Sequence, residues 1–126
     1  MFIEIEPNSP IAIYTQLISQ IKKAIIRKDI GPGEMLPSVR VLAGDLGVNM
    51  HTVNKAYNHL VDEGILVKSQ QGYTIKISKE TPAEVENEMK QSIDELLVDV
   101  FIHDIPAEKV QEWMREIADD LKREWI

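Results

Sequence analysis

Between Leu36 and Gly64 the chain reads LPSVRVLAGDLGVNMHTVNKAYNHLVDEG, and this stretch concentrates the residues best suited to binding by hydrogen bonds and charge. Asn49, Met50, His51, Thr52, Asn54 and Lys55 crowd its middle, while Val53, Ala56, Tyr57, Leu60 and Val61 recur behind them at helical spacing. A helix with an apolar back and a donor-rich front at its N-terminal end suits the major groove of DNA, where such side chains meet base edges and phosphates. Arg40 stands two positions after Ser38, near the positive end of a helix, where its fork can grip a phosphate or a guanine. The competing use of Arg40 is an ion pair with Asp45 or Glu63. If Asn54 reaches a base edge it favours adenine, and Met50 offers apolar contact to a thymine methyl. His51 either faces DNA or is simply exposed.

These side chains need elements to hold them. Ser38 is a good N-cap for a helix carrying Val39, Leu42, Ala43 and Leu46, Gly47 stops it, and Asn49 caps the next. Upstream, Ser9 as N-cap and Pro10 at the first helical position predict a supporting helix with Ile13, Tyr14, Leu17, Ile21, Ala24 and Ile25 as its stripe. Gly31-Pro32-Gly33 breaks it. Phe2 to Ile5 alternates apolar and acidic residues, which fits a short strand or an extended arm. After Gly64 the period changes to two. Ile65 to Val67 and Tyr73 to Ile77, separated by Ser69-Gln70-Gln71-Gly72, predict a hairpin. Gln71 and Gly72 are its candidate DNA contacts, and with Lys68 as the nearest base the hairpin is expected to add little affinity.

Downstream, Thr81-Pro82-Ala83-Glu84 predicts a fourth helix, with Thr81 as cap, Pro82 at its first position and a stripe of Val85, Met89, Ile93, Leu96, Leu97 and Val100. It is expected to end near His103-Asp104. Pro106 begins another, with Val110, Trp113, Met114, Ile117 and Leu121 along one face. Two amphipathic helices of about 20 and 18 residues make a helical hairpin that buries one face of each and leaves apolar surface, including Phe101, Trp113 and Trp125, for a second copy. The dimerisation residues are therefore expected to be Ile93, Leu97, Val100, Phe101, Trp113, Met114, Ile117 and Leu121. Packing of the tryptophans at that seam is favoured over an effector pocket.

The 126 residues allow one head of roughly 80 residues and a modest appendage. The absence of cysteine excludes disulfides, thiolate metal sites and a cysteine nucleophile. No apolar run approaches the ~20 residues of a membrane span, and the amino end does not read as a signal peptide, so a cytoplasmic location is expected. Net charge is −7 but uneven: residues 1–79 carry nine Lys or Arg and seven Asp or Glu (+2), and residues 80–126 carry five and fourteen (−9). A mildly basic head and an acidic tail fit DNA binding by the head, through few phosphate contacts and with marked salt sensitivity. His51, His59 and His103 are scattered and no HExxH, P-loop, GxSxG or GxGxxG pattern occurs, so no enzyme, metal or cofactor is expected. His59 reads as a surface residue. His103 beside Asp104 is better explained as a helix end than as a metal ligand, and the tail carboxylates as a solvated face.

LPSVRVLA, then LGV, then TVNKAYNHLVDEGIL resembles the winged helix-turn-helix head of GntR-type transcription regulators, over residues 10–77, and the short remainder is similar in length and pattern to the YtrA-like subgroup. The resemblance implies a mainly α fold with a small β-hairpin (α+β), the hairpin being the wing. It assigns residues 1–79 to DNA binding and residues 80–126 to a helical hairpin for dimerisation or effector response. It implies DNA contact by the Arg of LPSxR, here Arg40, and by Thr52 and Lys55. Where many relatives carry Arg, this chain has Met50 and Asn54, so its base preference is expected to differ. The function expected is sequence-specific regulation by a homodimer on an inverted repeat, most often repression of neighbouring transporter operons. Two alternatives stand beside it: a protein-interaction module on a winged-helix scaffold, and a metal or metabolite sensor acting through the tail.

Overall fold

The computed structural model describes residues 3–77 and 79–123, so the expectations for Phe2, Trp125 and Ile126 lie outside the described residues. The chain divides into two compact units that part next to Ser78. The head holds α1 (Ile13–Ile26), α2 (Val39–Leu46), α3 (Met50–Asp62), β1 (Leu66–Ser69) and β2 (Gly72–Ile75). The tail unit holds α4 (Ala83–Ile102) and α5 (Ala107–Leu121). A mainly α fold with a small antiparallel hairpin is what the patterning implied.

The head's core sits where α1 and α3 cross beneath the hairpin. Leu17, Ile21, Val53, Ala56, Tyr57, Leu60 and Ile75 are wholly buried there, with Leu42, Ala43 and Leu66 closing the sides. Each buried aliphatic side chain contributes about 1.5–3 kcal/mol through removal from water, and this drives helices too short to persist alone. Ser38 Oγ accepts from Val41 N–H at 3.1 Å, and Asn49 Oδ1 from His51 N–H at 2.7 Å, so both helices of the central pair start as their sequences direct. Gly47 ends α2 at φ +68°, a left-handed conformation that costs glycine little.

Two expectations about helix starts, and one about helix length, need correction. Ser9-Pro10 does not begin α1: the helix starts at Ile13, and Ser9 instead closes a turn, its Oγ accepting from Ile11 N–H at 3.1 Å. Gln16 explains the displacement, because its buried amide donates to the carbonyls of Glu6 and Ile11 and accepts from Glu6 N–H, satisfying the incoming chain as an irregular segment. Gln20, one turn on, exchanges hydrogen bonds with the backbone of Glu4, so the amino end lies along α1 as an extended arm. In the tail, α4 begins after Pro82, with no side-chain cap from Thr81, and α5 has 15 residues.

The hairpin turn is also tighter than the four residues expected. Ser69 pairs with Gly72, leaving only Gln70 and Gln71 at the tip, and Ser69 Oγ accepts from Gln71 N–H at 3.2 Å. The segment joining α1 to α2 pairs with β2 as a partial third strand, through Gly33 N–H to Ile75 O at 2.8 Å, Ile75 N–H to Glu34 O at 2.9 Å and Leu36 N–H to Tyr73 O at 2.9 Å. Those bonds satisfy one edge of the hairpin.

In the tail unit, α4 and α5 are joined through a turn at Asp104, whose φ is +55°. Among the described residues of this unit, only Val100 and Val110 are buried. The expected burial of one face of each helix against the other is therefore not observed, because the helices close on each other only beside their junction. Met89, Ile93, Leu96, Phe101, Met114 and Ile117 remain more than half exposed, and Leu97, Trp113 and Leu121 are partly covered. Val100, expected at the dimer seam, is already buried within the single chain. No helix among the described residues is long and apolar enough to cross a membrane.

Candidate nucleic-acid interface

The front of α3 is assembled as its sequence implied. Val53, Ala56, Tyr57 and Leu60 are buried, which turns Met50, His51, Asn54 and Lys55 outward, with Thr52 partly covered. Arg40 is exposed on the first turn of α2. Neither carboxylate considered for it holds it: Glu63 is engaged by Lys22 at 2.9 Å and by His59, and Asp45 makes no ion pair with Arg40. Its guanidinium is free to take an external anion.

Other candidates have more local work than the sequence revealed. The oxygens of Ser38 and Asn49 cap their helices, and the hydroxyl hydrogen and the amide NH2 are left as donors for a ligand. Lys55 Nζ lies over the Tyr14 ring, 4.6 Å from its centroid, so this cation rests against α1. Tyr14 in turn meets the His59 ring edge-on at 5.9 Å, and His59 pairs with Glu63, four residues on. Burial raises the Glu63 carboxyl, but the hydrogen bond and charge of Lys22, with His59 beside it, outweigh that and leave it below its usual value. His59 is thus part of a polar clamp between α1 and α3 rather than an idle surface residue. Its i,i+4 spacing to Glu63 was the available signal.

Two tyrosines fix the flanking elements to α3. The Tyr57 hydroxyl donates to Pro37 O at 2.8 Å, tying the segment that carries Ser38 and Arg40 to the helix behind it. Tyr73 on β2 packs edge-on against Tyr57, with centroids 4.9 Å apart, and its hydroxyl lies 3.1 Å from Asn58 Oδ1 and 3.4 Å from Asn54 Oδ1. Lys68, opposite Tyr73 in the ladder, places its ammonium 5.6 Å from the ring centroid. Tyr73 and Asn58 are neighbours behind this face that periodicity could not reveal, since a strand residue and a helix residue meet only in three dimensions.

At the wing, Gln70 and Gln71 are exposed, while Gly72 is partly covered and answers a packing need. Its φ is +139°, and a Cβ there would stand 2.9 Å from the Met35 methyl. Arg40, the front of α3 and Gln71 are thereby carried by three elements that share one core.

Comparison with known proteins gives this geometry its family. The model of the bacterial regulatory proteins of the gntR family matches residues 13–75, the span from α1 to the last wing strand. The chain belongs to the GntR family. It is 37% identical over 123 residues to the HTH-type transcriptional repressor YtrA of Bacillus subtilis (strain 168), covering 95% of each chain. Among solved structures it is similar to YtrA from Sulfolobus acidocaldarius, a GntR-family transcription factor, with a TM-score of 0.65 and 42% identity over 76% of this chain and 97% of that one. A third likeness is to the AraR DNA-binding domain in complex with operator ORX1, with a TM-score of 0.52 and 27% identity over 60% of this chain and 99% of that one. The GntR-type winged head is thus a DNA-binding regulatory head, and no enzymatic family is indicated.

Proposed function

We propose that this GntR-family chain is a cytoplasmic, sequence-specific repressor that binds an inverted-repeat operator as a homodimer. The observation that carries the reading is the front of α3, where Met50, His51, Asn54 and Lys55 stand exposed on a helix whose back is locked into the core. In this reading Arg40, Thr52 and Lys55 meet phosphates, His51 and Asn54 meet base edges, and Met50 covers a thymine methyl. Ser38, Asn49 and Gln71 add backbone contacts, and Gly72 shapes the wing tip. Repression is supported by the name of the Bacillus subtilis relative, and DNA binding by the operator complex of AraR.

Dimerisation is assigned to the apolar surface of α4 and α5, where Ile93, Phe101, Met114 and Ile117 are exposed beside Leu97, Trp113 and Leu121. An exposed apolar surface of this kind is costly in a monomer, and a twofold partner covers it with a copy of itself. Twofold symmetry then calls for an inverted repeat, with half-site centres about one helical turn, or a multiple of it, apart.

Two variants test the reading. Arg40→Ala should remain a folded dimer and lose at least tenfold in DNA affinity, because the exposed guanidinium has no structural partner to abandon. Ile93→Glu should shift sedimentation from dimer to monomer and weaken DNA binding. Loss of DNA binding in Arg40→Ala would argue against a head repurposed to bind protein, and undiminished binding would remove the role given to Arg40.

A further inference from the structure

The one lysine of α3, Lys55, is exposed, yet its ammonium has a station. Nζ lies 4.6 Å from the centroid of the Tyr14 ring on α1, and among the described residues no carboxylate pairs with it. The nature of that partner matters. A carboxylate would cancel the charge, whereas a neutral ring holds the ammonium through its quadrupole and leaves the charge to act on an external anion.

The ring is itself braced. Tyr14 is partly covered and packs against the head core. His59, one turn beyond Lys55 on α3, meets it edge-on, with centroids 5.9 Å apart and planes at 85°. His59 pairs with Glu63, which Lys22 of α1 holds at 2.9 Å, so both helices support the contact. Tyr14 and Lys55 also line one polar groove of about 430 Å³ with His51, Asn54 and Asn58, whose side chains carry donors suited to a phosphate. The carboxylate of this groove, Asp62, stands about two turns further along α3, so the end beside His51 and Lys55 is the one that suits an anion.

A lysine stem left free in solvent samples many rotamers, and binding must gather them at a cost. A contact that raises the occupancy of the bound position raises affinity by that factor at most. We propose that Tyr14, a residue of the supporting helix, is a positioning residue for DNA binding: its ring stations the Lys55 ammonium on the α1 side of α3, where it meets a DNA phosphate. This rests on the DNA-binding function proposed above, and it brings α1 into that function without requiring α1 to touch DNA.

The test measures affinity for the duplex that wild type selects from a randomised pool, across a salt series. Five proteins are compared: wild type, Lys55→Ala, Tyr14→Leu, Tyr14→Phe and the double variant Tyr14→Leu/Lys55→Ala. Lys55→Ala should weaken binding and lower the slope of log affinity against log salt by about one, the signature of one lost phosphate contact. Tyr14→Leu should weaken binding about two- to fivefold, the weight of one exposed cation–ring contact, with the slope unchanged because the charge remains. Tyr14→Phe keeps the ring and should bind as wild type does. In the Lys55→Ala background, Tyr14→Leu should cost nothing further. A loss of head stability from Tyr14→Leu is common to both backgrounds and drops out of that comparison.

The inference is overturned if the two losses add, since Tyr14 then acts through something other than Lys55. It is overturned equally if Tyr14→Phe loses as much as Tyr14→Leu, which would give the role to the hydroxyl, or if Tyr14→Leu binds more tightly, which would mean that the ring withholds the cation from DNA. Unchanged affinity and slope in Lys55→Ala would remove the phosphate contact of Lys55 and the inference with it, while leaving sequence-specific binding standing. If wild type selects no duplex, the DNA-binding function falls and takes the inference with it.

Discussion

Replacing Tyr57 by phenylalanine isolates one atom of the tether that holds the Arg40 segment to the recognition helix. The ring is wholly buried and would be retained, so its apolar burial and its edge-on contact with Tyr73 should survive. What disappears is the hydrogen bond to Pro37 O at 2.8 Å, together with the only described donor to that carbonyl. A hydrogen bond of this kind contributes a net ~0.5–1.5 kcal/mol, and a carbonyl left dry costs about 1–3 kcal/mol, partly relieved here because the bond is only part-buried. The expected loss is about 1–2 kcal/mol, which in a head of this size lowers the unfolding midpoint by roughly 5–15 °C. The assay addresses the head, because Tyr14, Tyr57 and Tyr73 all lie in it, on α1, α3 and β2. Near-ultraviolet circular dichroism of the tyrosines, followed through unfolding, reads the loss. A loss below ~0.5 kcal/mol in the tyrosine signal would refute the reasoning, since the Leu36–Ser38 segment would then be held by something other than this bond.

Glu63 gives the head an acid limb. Its folded carboxyl lies below its unfolded value, so the stability it contributes is present above the unfolded pKa, near 4.5, and is lost as pH falls through the folded value. Melts between neutral and acid pH should show this limb flattened in Glu63→Gln, which should also be the less stable protein at neutral pH. Gly72→Ala should cost about 1–3 kcal/mol, because an L side chain strains at φ +139° and its Cβ meets the Met35 methyl; urea unfolding checks it. Ser38→Ala removes the cap of α2 and should cost about 1 kcal/mol by the same measurement, with Ser38→Gly closer to wild type.

The parts of the molecule legible in the sequence are those encoded by neighbours a few residues apart. Ser38, Gly47 and Asn49 punctuate α2 and α3 by local backbone chemistry, and the Val53, Ala56, Tyr57 and Leu60 stripe needed only the helical period. Expectations failed where a distant side chain outbid a local signal. Ser9-Pro10 had the grammar of a helix start, yet Gln16 satisfies the preceding backbone more completely, so α1 begins later. The same holds for Tyr73, whose alternation in a strand marks it as core but says nothing of Asn54 and Asn58 at the far end of its hydroxyl. In the tail, the apolar stripes were legible but their partner was not. A stripe looks the same whether a sister helix or a second chain covers it, and here Ile93 and Ile117 are covered by neither within the chain.

The most direct test of the central claim is a selection from randomised duplexes by the full chain at about 0.1 M salt, where exposed charges are screened beyond ~10 Å. The account predicts enrichment of an inverted repeat with half-site centres about one helical turn, or a multiple of it, apart. Enrichment of a single unrepeated site, or binding indifferent to sequence, would contradict a dimer that reads DNA through α3.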